Sequence, residues 1–279
     1  MQTKSAKRFG ANTLAYALLL VSAVLAVSPF LIALSGSLKT QSQFVTGQPL
    51  DLPSPVTFEN YVRLFTTTDF TNALLVTSGV VLVTATGQIF TSILAAYAFA
   101  RLRFKGRDVL FWLYLATMMI PAAVVFIPLF LMMAQLGLRN SFWGIVLPFA
   151  FVSPYAVFLL RQFFQEIPKE ITDAAMLDGA GHWRILWQII VPNAKPIIAT
   201  LAVITFVSHW NNFLWPLMIS PLSGSRTVTV ATIALQSEHN SQWWLVMAAS
   251  VVAVLPLIVL LLLFHRQLVR SVTVGRVAP

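Results

Sequence analysis

The sequence contains no cysteine and only nine Asp and Glu residues among its 279 positions. The first absence excludes disulfides, thiolate metal sites and cysteine nucleophiles. The second matters through placement, because no acidic residue falls deep inside any of the long apolar stretches. Carriers driven by protons or sodium generally need ionisable or coordinating groups at that depth, so coupling to an ion gradient is disfavoured and His209 is its main titratable candidate. The four histidines, His182, His209, His239 and His265, are scattered with no i, i+4 pair suited to zinc. There is no Gly-x4-Gly-Lys-Ser/Thr loop to cradle nucleotide phosphates, and no Gly-x-Ser-x-Gly elbow to present a nucleophile. An enzyme reading has no catalytic constellation to stand on, and any energy source has to come from a partner.

What the chain has in abundance is apolar surface. It is 58% hydrophobic and 10% charged, with a mean hydropathy of +0.80, whereas a soluble domain carries roughly a quarter charged residues. One core cannot hide this much apolar surface, so lipid is the solvent for much of it. Apolar stretches of crossing length predict six transmembrane helices near 13–35, 71–99, 109–135, 142–162, 188–219 and 243–265. The first is longer than a signal-peptide core and reads as a retained helix.

Basic residues orient the bundle. Lys4, Lys7 and Arg8 precede the first span; Arg101, Arg103, Lys105 and Arg107 follow the second. Arg161, Lys169, Arg184 and Lys195 surround the fourth-to-fifth connection, and Arg266, Arg270 and Arg276 follow the last span. These are 14 of the 18 Lys and Arg residues, which predicts cytoplasmic termini. The net charge of +9 is thus a topological signal and not one for nucleic acid. The expected organisation is a cytoplasmic segment 1–12, a six-span domain 13–265 with an outer loop 36–70 and a cytoplasmic loop 163–187, and a cytoplasmic tail 266–279. Prolines at 29, 121, 128, 148, 154 and 216 are expected to kink their spans, and Ser78, Gly79, Gly87 and Ser92 suit close helix contact in the second.

The loop 163–187 is unlike its surroundings. Pro168 is a natural first-turn residue, and Lys169 to Leu177 reads as a short helix with Ile167, Ile171, Ala174 and Ala175 on one side. Glu170 and Asp173 suit its N-terminal half, Gly179 can end it with a positive φ, and a second helix is expected from His182. The weakly apolar face and acidic flank argue for a protein-docking helix over one lying on lipid.

The run "DAAMLDGAGHWRILWQIIVP" resembles the cytoplasmic Glu-Ala-Ala-x2-Asp-Gly-Ala motif of ABC-importer permeases. Ala174, Ala175, Asp178, Gly179, Ala180, Ile189 and Pro192 fall on motif positions; Asp173 replaces the glutamate, Leu186 a phenylalanine and Val191 a leucine. "SLK" (37–39), "TFENYVRLF" (57–65), "AAYAFARLRFKGR" (95–107), "LGLRNSFWGIVLP" (136–148) and "WNNFLWPL" (210–217) are similar to the smaller, maltose-type permeases of the carbohydrate branch. The resemblance implies an all-α membrane chain with the type I ABC importer permease fold in the bacterial inner membrane. It also implies a homologous permease partner, two ATPase subunits that bind ATP and Mg²⁺, and an extracytoplasmic solute-binding protein. The 168–182 helix is then expected to fit a cleft in the ATPase.

His209, Trp210, Asn211, Asn212 and Trp215 form the most polar and aromatic cluster assigned to a span. They are candidates for the solute path, because amides beside aromatic faces suit a sugar, and equally for packing between helices. The tail matches the family's Thr-x-Gly-x-Val pattern at Thr273, Gly275 and Val277, which implies a contact with the ATPases. The expected function is sugar import. A permease for a glycerophosphodiester or polyol is the alternative, followed by an ion-coupled carrier.

Overall fold

The computed structural model describes residues 2–238 and 242–274, and among these the regular elements are all helices. In chain order they are α1 (Gln2–Ser37), α2 (Gln41–Thr46), α3 (Glu59–Thr67), α4 (Phe70–Arg101), α5 (Arg107–Ala116), α6 (Ala122–Gln135), α7 (Phe142–Val146), α8 (Pro154–Glu166), α9 (Lys169–Leu177), α10 (His182–Ile185), α11 (Val191–Asn193), α12 (Lys195–Trp210), α13 (Leu214–Ile219), α14 (Val228–Glu238) and α15 (Trp243–Val274). A 3₁₀ turn, Thr117–Met119, extends α5, and a π-turn, Leu186–Ile190, joins α10 to α11.

Three of these elements contain uninterrupted stretches long and apolar enough to cross a bilayer: Ala15–Ser37, Phe70–Arg101 and Trp243–Phe264. They match the first, second and sixth expected spans. Two further stretches are bent pairs, α5 with its 3₁₀ turn against α6 at 95°, and α10–α11 against α12 at 78°. The expected third span, 109–135, is therefore not one straight helix. It breaks at Ile120-Pro121, where Ile120 takes extended backbone as a residue before proline prefers, and Pro121 leads into α6. Pro128 remains inside α6, so neighbouring prolines in similar apolar contexts act differently.

The expected fourth span, 142–162, is likewise two helices, α7 and α8, separated by residues 147–153. Pro154 opens α8 instead of kinking it, next to Ser153, whose hydroxyl accepts from the Ala156 N–H at 3.4 Å. Protein groups take up backbone groups of the break: the Tyr114 hydroxyl donates to the Val152 carbonyl at 2.8 Å, and the Ser153 N–H donates to Ser92 Oγ at 3.1 Å. Irregular backbone at membrane depth persists where protein surrounds it.

The small residues of α4 make this approach possible. Ser92 is fully buried, and a Cβ on Gly87 would lie 2.4 Å from the Ala150 carbonyl oxygen. Gly87→Ala is accordingly expected to destabilise the fold by about 1–3 kcal/mol, the range for overpacking. A thermal unfolding midpoint in detergent checks it, and an unchanged midpoint would remove the close-approach argument.

The described chain forms two compact units. One comprises α1–α3 and adjoining parts of α14 and α15. There the motif stretches at 37–39 and 57–65 meet: Asn60 Nδ2 donates to the carbonyls of Ser37 and Lys39, both at 2.8 Å, and the Ser37 and Tyr61 hydroxyls lie 2.7 Å apart. Lys39 is only 3% exposed, and its ammonium donates to the Gln48 carbonyl at 3.0 Å. Asn60→Ala leaves two carbonyls without their donor, so it is expected to cost about 1–3 kcal/mol, read as a lower unfolding midpoint.

The other unit comprises α4 (beyond Phe70) to α13 with parts of α14 and α15. Its main core joins Phe111, Leu160, Phe164, Ile185, Ile190 and Leu201. Lipid offers apolar groups as good a solvent as this core, so within the membrane packing contacts and satisfied polar groups give the unit its cohesion.

Candidate functional site

The segment from α8 to α12 is built by termination and anchoring. At the end of α8, Arg101 Nη2 donates to the carbonyls of Phe164 and Ile167. The last carbonyls of a helix have no intrahelical donor, and here a guanidinium at the end of α4 supplies it. Pro168 then redirects the chain into α9 from the N-cap position, with ψ of 135°, and not from the first turn where it is expected; the helix starts at Lys169.

The end of α9 is a Schellman turn. The Gly179 N–H donates to the Met176 carbonyl at 3.0 Å, and the Ala180 N–H donates to Ala175 at 2.9 Å. Gly179 has φ +82°, the left-handed conformation that glycine adopts without a steric penalty. Ala175 and Ala180 both pack against the main core, giving the small apolar contact that accompanies such a turn. The expected division of faces is thus corrected. Ile171 and Ala174 point outward, whereas the inward side is Thr172, Ala175 and Ala180. A repeat at i and i+4 in so short a helix is read equally well with either face inward, and Thr172 could turn inward because its hydroxyl is satisfied by the Lys169 carbonyl at 2.8 Å.

Beyond the turn, Ile185, Leu186, Ile190 and Ala194 are buried and seat the segment in the core. Ile189 packs partly against it, and Pro192 lies exposed in α11 just past the π-turn. The Tyr97 hydroxyl lies 3.1 Å from His182 Nδ1, tying α4 to the start of α10. Asp173 and Asp178 are both exposed. Asp173 shares a cavity of about 670 Å³ with Arg101.

The outward side of the segment is apolar at its centre. Leu177 is 90% exposed, and Ile171, Met176 and Trp183 are more than two-fifths exposed. The motif residues are therefore brought together on one structural device, with Ala175, Ala180 and Ile189 facing inward and Ala174, Asp178 and Gly179 outward. Sequence reasoning missed Arg101, Tyr97 and Thr172 as its supports. Arg101 carried a signal, being an arginine at the end of an uncharged run, but it was read only as a topological charge.

The residues proposed for the solute path diverge. The helix containing them stops at Trp210, and the amides lie in the break before α13. Asn211 Nδ2 donates to the Val207 carbonyl one turn back at 3.1 Å, and the Asn212 carbonyl accepts from Thr229 Oγ1 at 3.0 Å. Trp215 is fully buried, donates from Nε1 to the Gly144 carbonyl at 3.1 Å, and packs edge-on against Phe149. His209 lies against the same Phe149 ring. Trp210 stacks on Phe206 with centroids 5.5 Å apart, and both line an apolar cavity of about 730 Å³ with Phe90 and Trp187. Gly275 and Val277 of the tail, and His239, lie outside the described residues.

Comparison with known proteins gives these features a context. Residues 88–274 match the family described as "Binding-protein-dependent transport system inner membrane component". The arabinooligosaccharides transport system permease protein AraQ of Bacillus subtilis is 34% identical over 256 residues, covering 89% of each chain. The sn-glycerol-3-phosphate transport system permease protein UgpE of Yersinia pestis is 33% identical over 272 residues, covering 95% of this chain and 96% of its own. Among solved structures, a chain of a bacterial ABC transporter involved in the import of the acidic polysaccharide alginate superposes with a TM-score of 0.81. It is 26% identical, with 94% of this chain and 97% of that chain covered. By the family match and by these relatives over nearly its whole length, the chain belongs to the inner-membrane permease subunits of binding-protein-dependent ABC transport systems, and is a transport component and not an enzyme.

Proposed function

We propose that this permease imports a sugar or sugar-like polar solute, and that α9 with its glycine turn receives a separate ATPase subunit. The reading of α9 rests on one observation: a helix pinned inward by Thr172, Ala175 and Ala180 leaves Ile171, Ala174 and Leu177 uncovered around Asp178 and Gly179. An exposed apolar centre with a polar border is the ordinary make-up of a protein-binding surface. Here ATP and Mg²⁺ are bound by the partner ATPases, a second homologous permease completes the path, and a solute-binding protein delivers cargo from outside. Closure of the ATPases moves α9 and with it the bundle, so that access alternates. Six crossings with cytoplasmic termini fit the distribution of basic residues.

Carbohydrate cargo is supported by the arabinooligosaccharide relative and by the alginate importer's fold. Trp210, Phe206, Phe90 and Trp187 would offer flat apolar faces to a sugar ring; His209, Asn211, Asn212 and Trp215 are assigned to shaping the adjoining helix break. A second reading, a phosphorylated polyol, has its own support in the similarity to the glycerol-3-phosphate permease.

Purification of the tagged chain from its own membranes in mild detergent, followed by mass spectrometry of its companions, tests the assembly. A second permease and an ATPase are expected, with the ATPase reduced at least about tenfold in Leu177→Asp, the change expected when a central contact is lost. A chain that purifies alone and transports without ATP would replace this reading with a self-contained carrier. ATP-dependent uptake of an oligosaccharide rather than glycerol 3-phosphate then separates the two cargoes.

A further inference from the structure

The connection between α4 and α5 opens two adjoining recesses. The larger, about 670 Å³, is lined by Arg101, Arg103, Arg107 and Lys169, with Asp173 as its carboxylate. The second, about 610 Å³, shares Arg103, Arg107 and Lys169 and adds Asp108. Asp108 is already engaged, 3.1 Å from Arg107 and 3.5 Å from Arg161. Among the described residues, Arg103 and Lys169 form no ion pair. Cations converging on a concave surface raise the local concentration of anions, and guanidinium with ammonium is a donor set suited to phosphate.

The surroundings select the anion's source. Immediately after the basic rim, α5 exposes Val109, Leu110, Trp112 and Leu113, each more than half accessible. A free phosphate would use the basic recess alone, whereas the column on α5, part of a stretch apolar enough to cross a bilayer, keeps acyl chains beside the recess. A phospholipid uses both, headgroup in the recess and acyl chains along α5, with Trp112 at the boundary where amphipathic rings sit in membranes. The chain is a membrane component, so such lipid is always at hand.

We propose that this recess binds the phosphate of an anionic phospholipid, held by Arg103 and Arg107 of the α4–α5 connection and by Lys169 in the first turn of α9. The lipid bridges two segments that otherwise present like charges to one another, and so links α9 to the surrounding bilayer.

The test is native mass spectrometry of the full chain, purified with its companion subunits, delipidated and titrated with phosphatidylglycerol or phosphatidylcholine. Phosphatidylglycerol is expected to bind selectively, weakening roughly fivefold for each charge removed and roughly 30-fold in Arg103→Gln with Lys169→Gln. Lys105→Gln, in the same connection but outside both recesses, is expected to bind as the unsubstituted chain does. Equal binding of the two lipids, or equal weakening by Lys105→Gln, overturns the site. Inorganic phosphate that binds with the same Arg103 and Lys169 dependence, without selectivity for phosphatidylglycerol, overturns the lipid as its source.

Discussion

Gly179→Pro and Gly179→Asp are each expected to abolish solute uptake while the chain still inserts into the membrane, whereas Gly179→Ala is expected to keep substantial uptake. The three substitutions separate the contributions of one residue. Alanine meets nothing within 4 Å of its Cβ and bears only the strain of φ +82°, about 1 kcal/mol. Proline cannot adopt that angle and lacks the N–H that donates to Met176, so the Schellman turn is lost and α9 is no longer held against the core. Aspartate tolerates the left-handed region better than most residues, so it leaves the turn in place and puts a charge on the outward surface. Uptake in proteoliposomes, with the amount of co-purifying ATPase, distinguishes these cases. Normal uptake in both the proline and aspartate proteins would refute the docking role.

The second large effect belongs to Arg101. Arg101→Ala withdraws the donor from two carbonyls at the end of α8. Hydrogen bonds from a charged donor contribute about 1.5–3 kcal/mol each, and an acceptor left dry adds to the loss. The expected outcome is a destabilisation of several kcal/mol, on the order of 3 or more by those values, with little folded protein recovered from the membrane. Arg101→Lys is expected to recover only part, because both carbonyls are served by the one nitrogen Nη2 and the shorter, more flexible lysine stem does not hold its ammonium at that point. Folded yield by size-exclusion chromatography and the unfolding midpoint measure both. Equal behaviour of the alanine protein and the parent would show that water or a neighbour already serves those carbonyls.

Much of α9 was legible because its signals are local. Pro168 marks its start, Gly179 its stop and His182 the next helix, and each works through the backbone of its own segment. The long helices α1, α4 and α15 were equally plain, since an uncharged run of crossing length has few alternatives. The breaks were not legible. Pro121 and Pro128 look alike in sequence, yet Pro121 stands at the 95° break and Pro128 lies inside α6. The gap between α7 and α8 is stabilised by Ser92 and Tyr114, far away along the chain. The sequence places the amides Asn211 and Asn212 within a span, because composition alone does not reveal that α12 ends at Trp210.

The joints on either side of α9 have a mechanical consequence. A loop between two spans would ordinarily absorb a push by bending, and the force would dissipate in its backbone torsions. Here the approach is clamped by Arg101 and the exit by two hydrogen bonds and the buried Ile185, Leu186 and Ile190. If α9 receives an ATPase as proposed, a displacement applied at Leu177 meets these anchors on both sides instead of a slack loop. On that reading the anchors pass it toward α4 through Arg101 and toward α12 through the core, and α9 acts as a short lever with two fulcra.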